Sequence, residues 1–302
     1  MAIPTMQTRV VEGIMIPDAW DVDTFTSALN YKAQPDDIFL VVYPKSGTTW
    51  MQVILYSLLN NGQAFDENMA DYFAKSPYID PIGEKGIKSM HRPFVMKTHL
   101  PFDRVPYNAN AKYICLIRNP KDVCVSYFFF LAKFFGFPDD KKSFDNFFEL
   151  FISGQLLYGN YFDHITTLWK YKNDENVFLT SYEQMKKDLP TVIRHLTKFL
   201  QIELNPDLLN RILTVSSFDY MKDKFDRSFA NQAQIVLNDP FTEVPLPMNK
   251  ILLENADRIN IVREGQVGKW SSIMTPEQTE RIDSIFTEKL AHLPGISELL
   301  SV

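Results

Sequence analysis

The sequence predicts a single α/β domain of 302 residues, with a central parallel sheet flanked by helices. Short apolar runs rich in β-branched and aromatic residues are typical of strands that are buried on both faces, and segments of helical composition separate them. The predicted strands are residues 38–43, 94–99, 111–118 and 176–183. The length alone would allow two domains, but α/β folds of this size are often one.

The bulk composition excludes several classes of partner. The net charge is −6 and the sequence pI is about 5.4, which argues against nucleic acid or an anionic membrane as the main partner. Met1–Trp20 has no apolar core typical of a signal peptide, and no run is long enough to span a membrane. Cys115 and Cys124 fit buried thiols in a reducing compartment. We therefore expect a cytoplasmic protein.

Other segments are assigned more coarsely. Residues 1–37 are predicted to form a surface arm with a short helix around Val22–Tyr31, and Leu150–Tyr171 is predicted to form one long helix. The segment 68–94 is rich in proline and glycine. This composition is typical of a lid or binding loop, and it is equally typical of a poorly ordered surface loop. The segment 222–260 contains no clear strand.

The first predicted strand leads into a candidate phosphate site. Residues 44–50 form a short turn, and an apolar helix follows. Unpaired N–H groups and the helix dipole favour an anion at such a helix start, although an ordinary strand–turn–helix has the same pattern. The turn differs from a nucleoside triphosphatase loop, because its lysine precedes the glycine. The candidate ligands are Lys45, Ser46, Gly47, Thr48 and Thr49.

The second predicted strand ends in a lysine and a histidine, and the third ends in an arginine. Lys97 and His99 lie at the end of the second strand, where alternation places both side chains on the same side, and open α/β sheets bind ligands at such ends. Arg118 ends the third strand, where pairing with Asp122 is the alternative to binding phosphate. The histidines and cysteines show no metal-binding spacing, so no metal site is expected.

Four stretches, in order, resemble the cytosolic sulfotransferases. They are Tyr43–Trp50, Lys97–Pro101, Arg118–Ser126 and Arg263–Trp270, and together they span most of the chain. The resemblance implies that this α/β fold contains a nucleotide-kinase-like phosphosulfate-binding loop. It also implies an enzyme that transfers a sulfuryl group from 3′-phosphoadenosine-5′-phosphosulfate (PAPS) to a small acceptor and releases 3′-phosphoadenosine-5′-phosphate (PAP), without a metal.

The resemblance also implies roles for individual residues. His99 is the general base, Lys45 stabilises the bridging oxygen of the leaving group, and Lys97 holds the sulfonate or orients the acceptor. Arg118 and Ser126 bind the 3′-phosphate. The remaining residues implied to contact the nucleotide are Trp50, Tyr182, Ser216, Phe218, Arg263, Glu264 and Gly265. For Phe218, simple core packing is the alternative.

The chain departs from the family pattern near its C-terminus. Glu264 stands where the family usually has lysine, and Lys269 stands where it usually has aspartate, so the positive field near the 3′-phosphate is weakened. In the family's dimer segment, Ser271 replaces a lysine and Pro276 removes a backbone donor. Homodimer formation is therefore left open.

The acceptor is predicted only by class. The aromatic run Tyr127–Phe137 is typical of a hydrophobic core, but some of its rings would suit an apolar acceptor cavity. The segments 68–94 and 222–260 are the expected acceptor-site loops. No acidic residue lies between Ser126 and Pro138, which favours phenols or alcohols over amines. The alternatives are a non-catalytic protein that binds 3′-phosphoadenosine nucleotides and a nucleotide-dependent phosphotransferase.

Overall fold

The computed structural model describes residues 7–65, 74–225 and 262–300. The strands are β1 (Thr8–Val11), β2 (Ile14–Pro17), β3 (Ile38–Val42), β4 (Val95–Thr98), β5 (Lys112–Ile117) and β6 (Val177–Ser181). The helices are α1 (Val22–Leu29), α2 (Thr48–Leu59), α3 (Ile79–Lys88), α4 (Pro120–Phe135), α5 (Lys141–Ser153), α6 (Tyr161–Trp169), α7 (Tyr182–Lys187), α8 (Leu189–Leu200), α9 (Pro206–Val215), α10 (Pro276–Lys289) and α11 (Ile296–Leu299). Short 3₁₀ helices occupy Phe102–Arg104 and Lys269–Ser272.

The predicted central parallel sheet is confirmed. Its order is β4-β3-β5-β6, and all neighbouring strands are parallel. Val41 of β3 lies between Thr98 of β4 and Cys115 of β5. From β3 the chain goes to β4 on one side and then returns to β5 on the other. The carboxyl ends of these strands therefore meet at a topological switch point, where open α/β sheets bind their ligands.

Both faces of the sheet are covered, which explains why the strands have unbroken apolar sequences. Alternate residues of β3 and β5 enter two separate hydrophobic clusters. One cluster contains Phe39, Val41, Tyr113, Cys115 and Ile117 together with side chains of α4, α5 and α6. The other contains Leu40, Val42, Ile114 and Leu116 together with side chains of α2, α8 and α9. The molecule is therefore a three-layer α/β domain.

The N-terminal segment is not a surface arm, contrary to the sequence-based prediction. β1 and β2 pair as an antiparallel hairpin, and Ile16 and Phe25 are fully buried in the same cluster as one face of the sheet. The predicted short helix is confirmed as α1, but the hairpin was missed because two strands of four residues each give little periodic signal. Their burial depends on a partner surface that is distant in sequence.

The segment 68–94 is only partly a loop. Its described part, residues 74–94, contains α3, which packs against α1. Gly83 interrupts the helical conformation at φ 64°, and a Cβ there would lie 2.4 Å from the hydroxyl of Ser27. The glycine that suggested a loop is therefore required by close contact with a neighbouring helix.

Leu150–Tyr171 is two helices rather than one. Gly154, at φ 73°, ends α5, and its N–H donates to the carbonyl groups of Leu150 and Phe151. The Asn160 side chain then caps α6. The loop between these helices carries Tyr158, which lies at the candidate site described below.

The predicted acceptor-site segment 222–260 lies outside the described residues except for 222–225, which are helical. Within the described parts of the chain, no helix has both the length and the apolar character needed to cross a bilayer.

Candidate active site

The turn between β3 and α2 has a backbone suited to anion binding. Lys45 and Gly47 have positive φ values of 67° and 109°. At Gly47 the backbone passes so close to Tyr182 that a Cβ would lie 2.8 Å from its ring. No side chain caps the start of α2. Its first N–H groups and the positive end of the helix dipole therefore remain directed at the turn.

Two hydroxyls in this turn are buried and unpaired. Ser46 Oγ and Thr48 Oγ1 have no hydrogen-bond partner among the described residues, whereas Thr49 is half-buried. An unsatisfied buried polar group costs about 1–3 kcal/mol. The turn thus has unused hydrogen-bonding capacity where an anion would bind.

Lys45 carries the positive charge of this turn, and neighbouring cations repel it. Its Nζ lies 4.2 Å from the centre of the Phe130 ring. Burial, and then repulsion from Arg118, Arg263 and Lys97, lowers the pKa of Lys45 to about 7. Four cations therefore converge on one region, and an anion bound between them would relieve their mutual repulsion.

Arg118 joins two loops of the site. Its Nη1 donates to the carbonyl of Lys45 at 3.2 Å and its Nη2 to that of Gln266 at 3.1 Å. Its Nε is buried without a partner among the described residues, and its guanidinium lies 4.1 Å from the centre of the Tyr182 ring. The alternative pairing with Asp122 is not observed, because that carboxylate accepts from the N–H groups of Gly268 and Trp270.

Arg263 lies near Arg118 and forms an ion pair with the neighbouring Glu264. Its Nη1 is 3.3 Å from an oxygen of Glu264, and its guanidinium is 4.5 Å from the centre of the Phe129 ring. Burial, and secondarily Arg118, lowers the pKa of Arg263, whereas Glu264 opposes that shift. Ser126 lies one helical turn before Phe129 on α4 and is half-buried, so both occupy the same helix face.

The residues predicted to hold adenosine make two separate sets of contacts. Trp50 Nε1 donates to the carbonyl of Ser216 at 2.9 Å, and its ring lies 5.4 Å from that of Tyr182. The Ser216 hydroxyl donates to the carbonyl of Ile212, so this residue positions Trp50 through its backbone. Phe218 packs on Gly265, where a Cβ would lie 2.2 Å from its ring.

His99 and Lys97 lie together at the end of β4, as predicted. His99 Nδ1 is hydrogen-bonded to the carbonyl of Val42. Because a carbonyl can only accept, Nδ1 carries the proton and donates it, which leaves Nε2 free to accept a proton. Burial, and then the charge of Lys97, holds the pKa of His99 well below its usual range. Burial also lowers the pKa of Lys97 to about 8, although the charge of Asp80 opposes that shift.

Sequence analysis missed three residues around His99. The rings of Tyr78 and Tyr158 lie edge-on to its imidazole, with centroids 5.2 and 5.4 Å away, and their hydroxyls form a hydrogen bond. The Tyr78 ring also lies 3.8 Å from Lys97 Nζ. Beneath them, Asp80 is fully buried. Tyr78 and Asp80 stand in a segment that composition marks as loop, and Tyr158 stands inside a predicted helix, so no local pattern signalled them.

The aromatic run in α4 is only partly core, and its predicted role in an acceptor cavity stays a prediction. Tyr127 and Phe128 are fully buried in the core, whereas Phe129 and Phe130 are half-buried under the cations of the site. Among the residues that the structure describes, no cluster of histidine, cysteine, aspartate and glutamate could hold a metal ion.

Comparison with known proteins identifies the family of this chain. The model of the sulfotransferase domain family matches residues 35–294, which contain every residue discussed above for the site. The chain belongs to the sulfotransferase family. Human sulfotransferase 2A1 is 33% identical over 263 residues, covering 86% of each chain. Human sulfotransferase 1C2 is 29% identical over 294 residues, covering 94% of this chain and 93% of that one.

A solved structure extends the likeness to the fold. Mouse sulfotransferase SULT7A1, crystallised with PAP, is 29% identical and has a TM-score of 0.74 over 97% of this chain and 98% of that one. This chain is therefore a sulfotransferase in which the turn after β3 and the ends of β4 and β5 form the candidate active site.

Proposed function

We propose that this sulfotransferase transfers a sulfuryl group from PAPS to the hydroxyl of a small phenolic or alcoholic acceptor, with His99 as the general base. The observation that carries the proposal is the convergence of four cations beside a histidine whose Nδ1 is held by the Val42 carbonyl. This arrangement suits a ligand with several negative charges adjacent to a proton acceptor.

The residues fit the two anionic ends of PAPS. The 5′-phosphosulfate would be held by Lys45, the unpaired hydroxyls of Ser46 and Thr48, and the N–H groups at the start of α2. The 3′-phosphate would accept hydrogen bonds from Arg118, whose Nε is unpaired, and from Arg263 and Ser126. The base would pack between the aromatic side chains of Trp50 and Phe218.

The chemistry is an in-line displacement at sulfur. His99 Nε2 takes the proton of the acceptor hydroxyl while the acceptor oxygen bonds to sulfur. The bond from sulfur to the bridging oxygen breaks, and Lys45 stabilises the charge that develops on that oxygen as PAP leaves. Lys97 holds the transferring sulfonate or the acceptor oxygen. As in phosphoryl transfer, the protein's main contributions are positioning and charge neutralisation.

The surroundings of His99 favour a planar or apolar acceptor. Tyr78, Tyr158 and Phe130 offer rings near the reacting groups, and binding cavities for small molecules are mostly apolar with few polar anchors. Lys45 and Lys97 would repel a protonated amine, which supports phenols and alcohols over cationic acceptors.

The test is a transfer assay with labelled PAPS and a panel of phenols, alcohols, steroids and amines. Transfer to a phenol or alcohol that is lost in His99→Ala is the expected result. Calorimetry with PAP and with ATP, each with and without Mg²⁺, decides between the rivals. PAP binding without transfer to any acceptor would indicate a non-catalytic relative, and ATP binding that requires Mg²⁺ would indicate a phosphotransferase.

A further inference from the structure

A buried carboxyl group lies at the end of β4, next to the two residues that we propose are catalytic. Asp80, the second residue of α3, is fully buried. Its Oδ1 accepts from the Thr98 hydroxyl at 2.6 Å and its Oδ2 from the backbone N–H of His99 at 3.0 Å. The carboxylate therefore fixes the end of β4, from which Lys97 and His99 extend.

The same carboxylate lies close to the two rings that enclose the imidazole. Burial, and then the charge of Asp80, raises the pKa of both Tyr78 and Tyr158, and the two tyrosine hydroxyls form a hydrogen bond. Both rings lie edge-on to His99. The titratable groups that face Asp80 in the described parts of the chain are Lys97 and His99 from β4, Tyr78 from its own segment, and Tyr158 from the loop after α5.

Burying a carboxylate is costly unless charge or hydrogen bonds compensate for the lost water. Burial raises the pKa of Asp80 to about 6, and the hydrogen bonds from Thr98 and His99 oppose that shift, as does the charge of Lys97. Asp80 is therefore mostly ionised at neutral pH. In return, its negative charge raises the pKa of Lys97, which burial alone would lower further.

We propose that Asp80 is a positioning residue for sulfuryl transfer, which fixes the backbone of His99 at the end of β4 and places a negative charge near Lys97. The inference rests on the proposed function, in which Lys97 and His99 act on the sulfonate and the acceptor. Asp80 itself touches neither. Its removal should lower kcat and leave the affinity for PAP nearly unchanged.

The test is the titration of Lys97 in the nucleotide-free protein, followed by NMR of labelled lysine and assigned with Lys97→Met. In Asp80→Asn the pKa of Lys97 should fall by about one unit or more, the usual effect of removing a nearby opposite charge. Asp80→Glu keeps the charge and should restore the titration. The matched control is Glu84→Gln, on the same helix, whose carboxylate pairs with the exposed Lys88, and it should change nothing.

Activity provides the second readout. With the pKa of Lys97 near 8, a fall of one unit would reduce its protonated fraction at pH 8 by about fivefold. The alkaline limb of kcat against pH should therefore move to lower pH in Asp80→Asn. A purely structural role would reduce kcat equally at every pH.

An unchanged Lys97 titration in Asp80→Asn would overturn the proposal. Should that variant not fold, Thr98→Val removes a hydrogen bond from the same carboxylate. The pKa of Asp80 should then rise, whereas an unchanged carboxyl titration would overturn the anchoring role. If the wild type transfers no sulfuryl group to any acceptor, the proposed function fails, but the lysine titration still decides whether Asp80 balances Lys97.

Discussion

Arg118 donates a hydrogen bond to the backbone carbonyl of Lys45 at 3.2 Å. The contact joins the end of β5 to the turn after β3, and therefore places the cation predicted for the 3′-phosphate beside the turn predicted for the 5′-phosphosulfate. This hydrogen bond and a second one from Arg118 to the carbonyl of Gln266 fix the guanidinium group before any ligand binds. Such preorganisation lowers the entropy cost of binding.

Arg118→Ala should weaken PAP binding by about 1.5–3 kcal/mol, the range for a hydrogen bond to a charged group. Calorimetry measures this loss. Adenosine 5′-phosphosulfate, which lacks the 3′-phosphate, should bind the wild type more weakly than PAPS and lose little further in the variant. Equal binding of the two nucleotides to the wild type would contradict the assignment of Arg118.

His99→Ala should reduce turnover by roughly 10²–10⁴-fold, the usual contribution of a positioned general base. The affinity for PAP should stay nearly unchanged, because in the proposed mechanism the imidazole contacts the acceptor and not the phosphates. The wild-type rate should not begin to fall until the pH is below 6.5, since burial and Lys97 lower the pKa of His99. Retention of most turnover in the variant would mean that the proton leaves by another route.

Binding of PAP near neutral pH should take up protons at Lys45. The pKa of Lys45 is lowered to about 7 in the free protein, and a bound phosphate would raise it by favouring the charged form. Affinity should therefore fall as the pH rises above 7. Calorimetry in buffers of different ionisation enthalpy counts the protons, and Lys45→Met should show less uptake. Identical enthalpies in all buffers would argue against this linkage.

Glu264→Lys should strengthen PAP binding at low salt by a few-fold. The carboxylate pairs with Arg263 and competes with a phosphate for it, but it is partly exposed, so solvent screens the effect. The gain should shrink as salt is added, which a series of dissociation constants against ionic strength would reveal. Glu280→Lys, on α10, is a control of equal charge change. A dissociation constant at low salt no different from that of the wild type would show that Glu264 does not compete for phosphate.

Gly47→Ala should lower both the melting temperature and the affinity for PAP. The residue has φ 109°, and a Cβ would lie 2.8 Å from the Tyr182 ring, so the substitution combines backbone strain with a steric clash. Gly13→Ala is the matched control, because Gly13 also has a positive φ of 81° but has no atom near the added Cβ. Equal losses in the two variants would assign the whole effect to strain.

The sequence by itself determined the sheet and the backbone shape of the turn that we propose binds an anion. Residues 38–43 and 111–118 carry unbroken apolar runs, and such runs have few stable arrangements other than a strand covered on both faces. The motif of residues 43–50 is local as well, because a strand, a glycine-containing turn and the start of a helix determine their own backbone shape. Lys97, His99 and Arg118 were recognisable because they end predicted strands.

Only the tertiary structure decided what surrounds these residues. Asp80 lies 19 residues before His99 in the chain and Tyr158 lies 59 residues after it, so no periodicity relates them to the site. The lowered pKa of Lys45 likewise depends on burial and on cations from separate strands and loops, and that of Lys97 depends on burial. Local sequence determines backbone shape, whereas burial and electrostatic fields arise from contacts between segments that only the folded chain brings together.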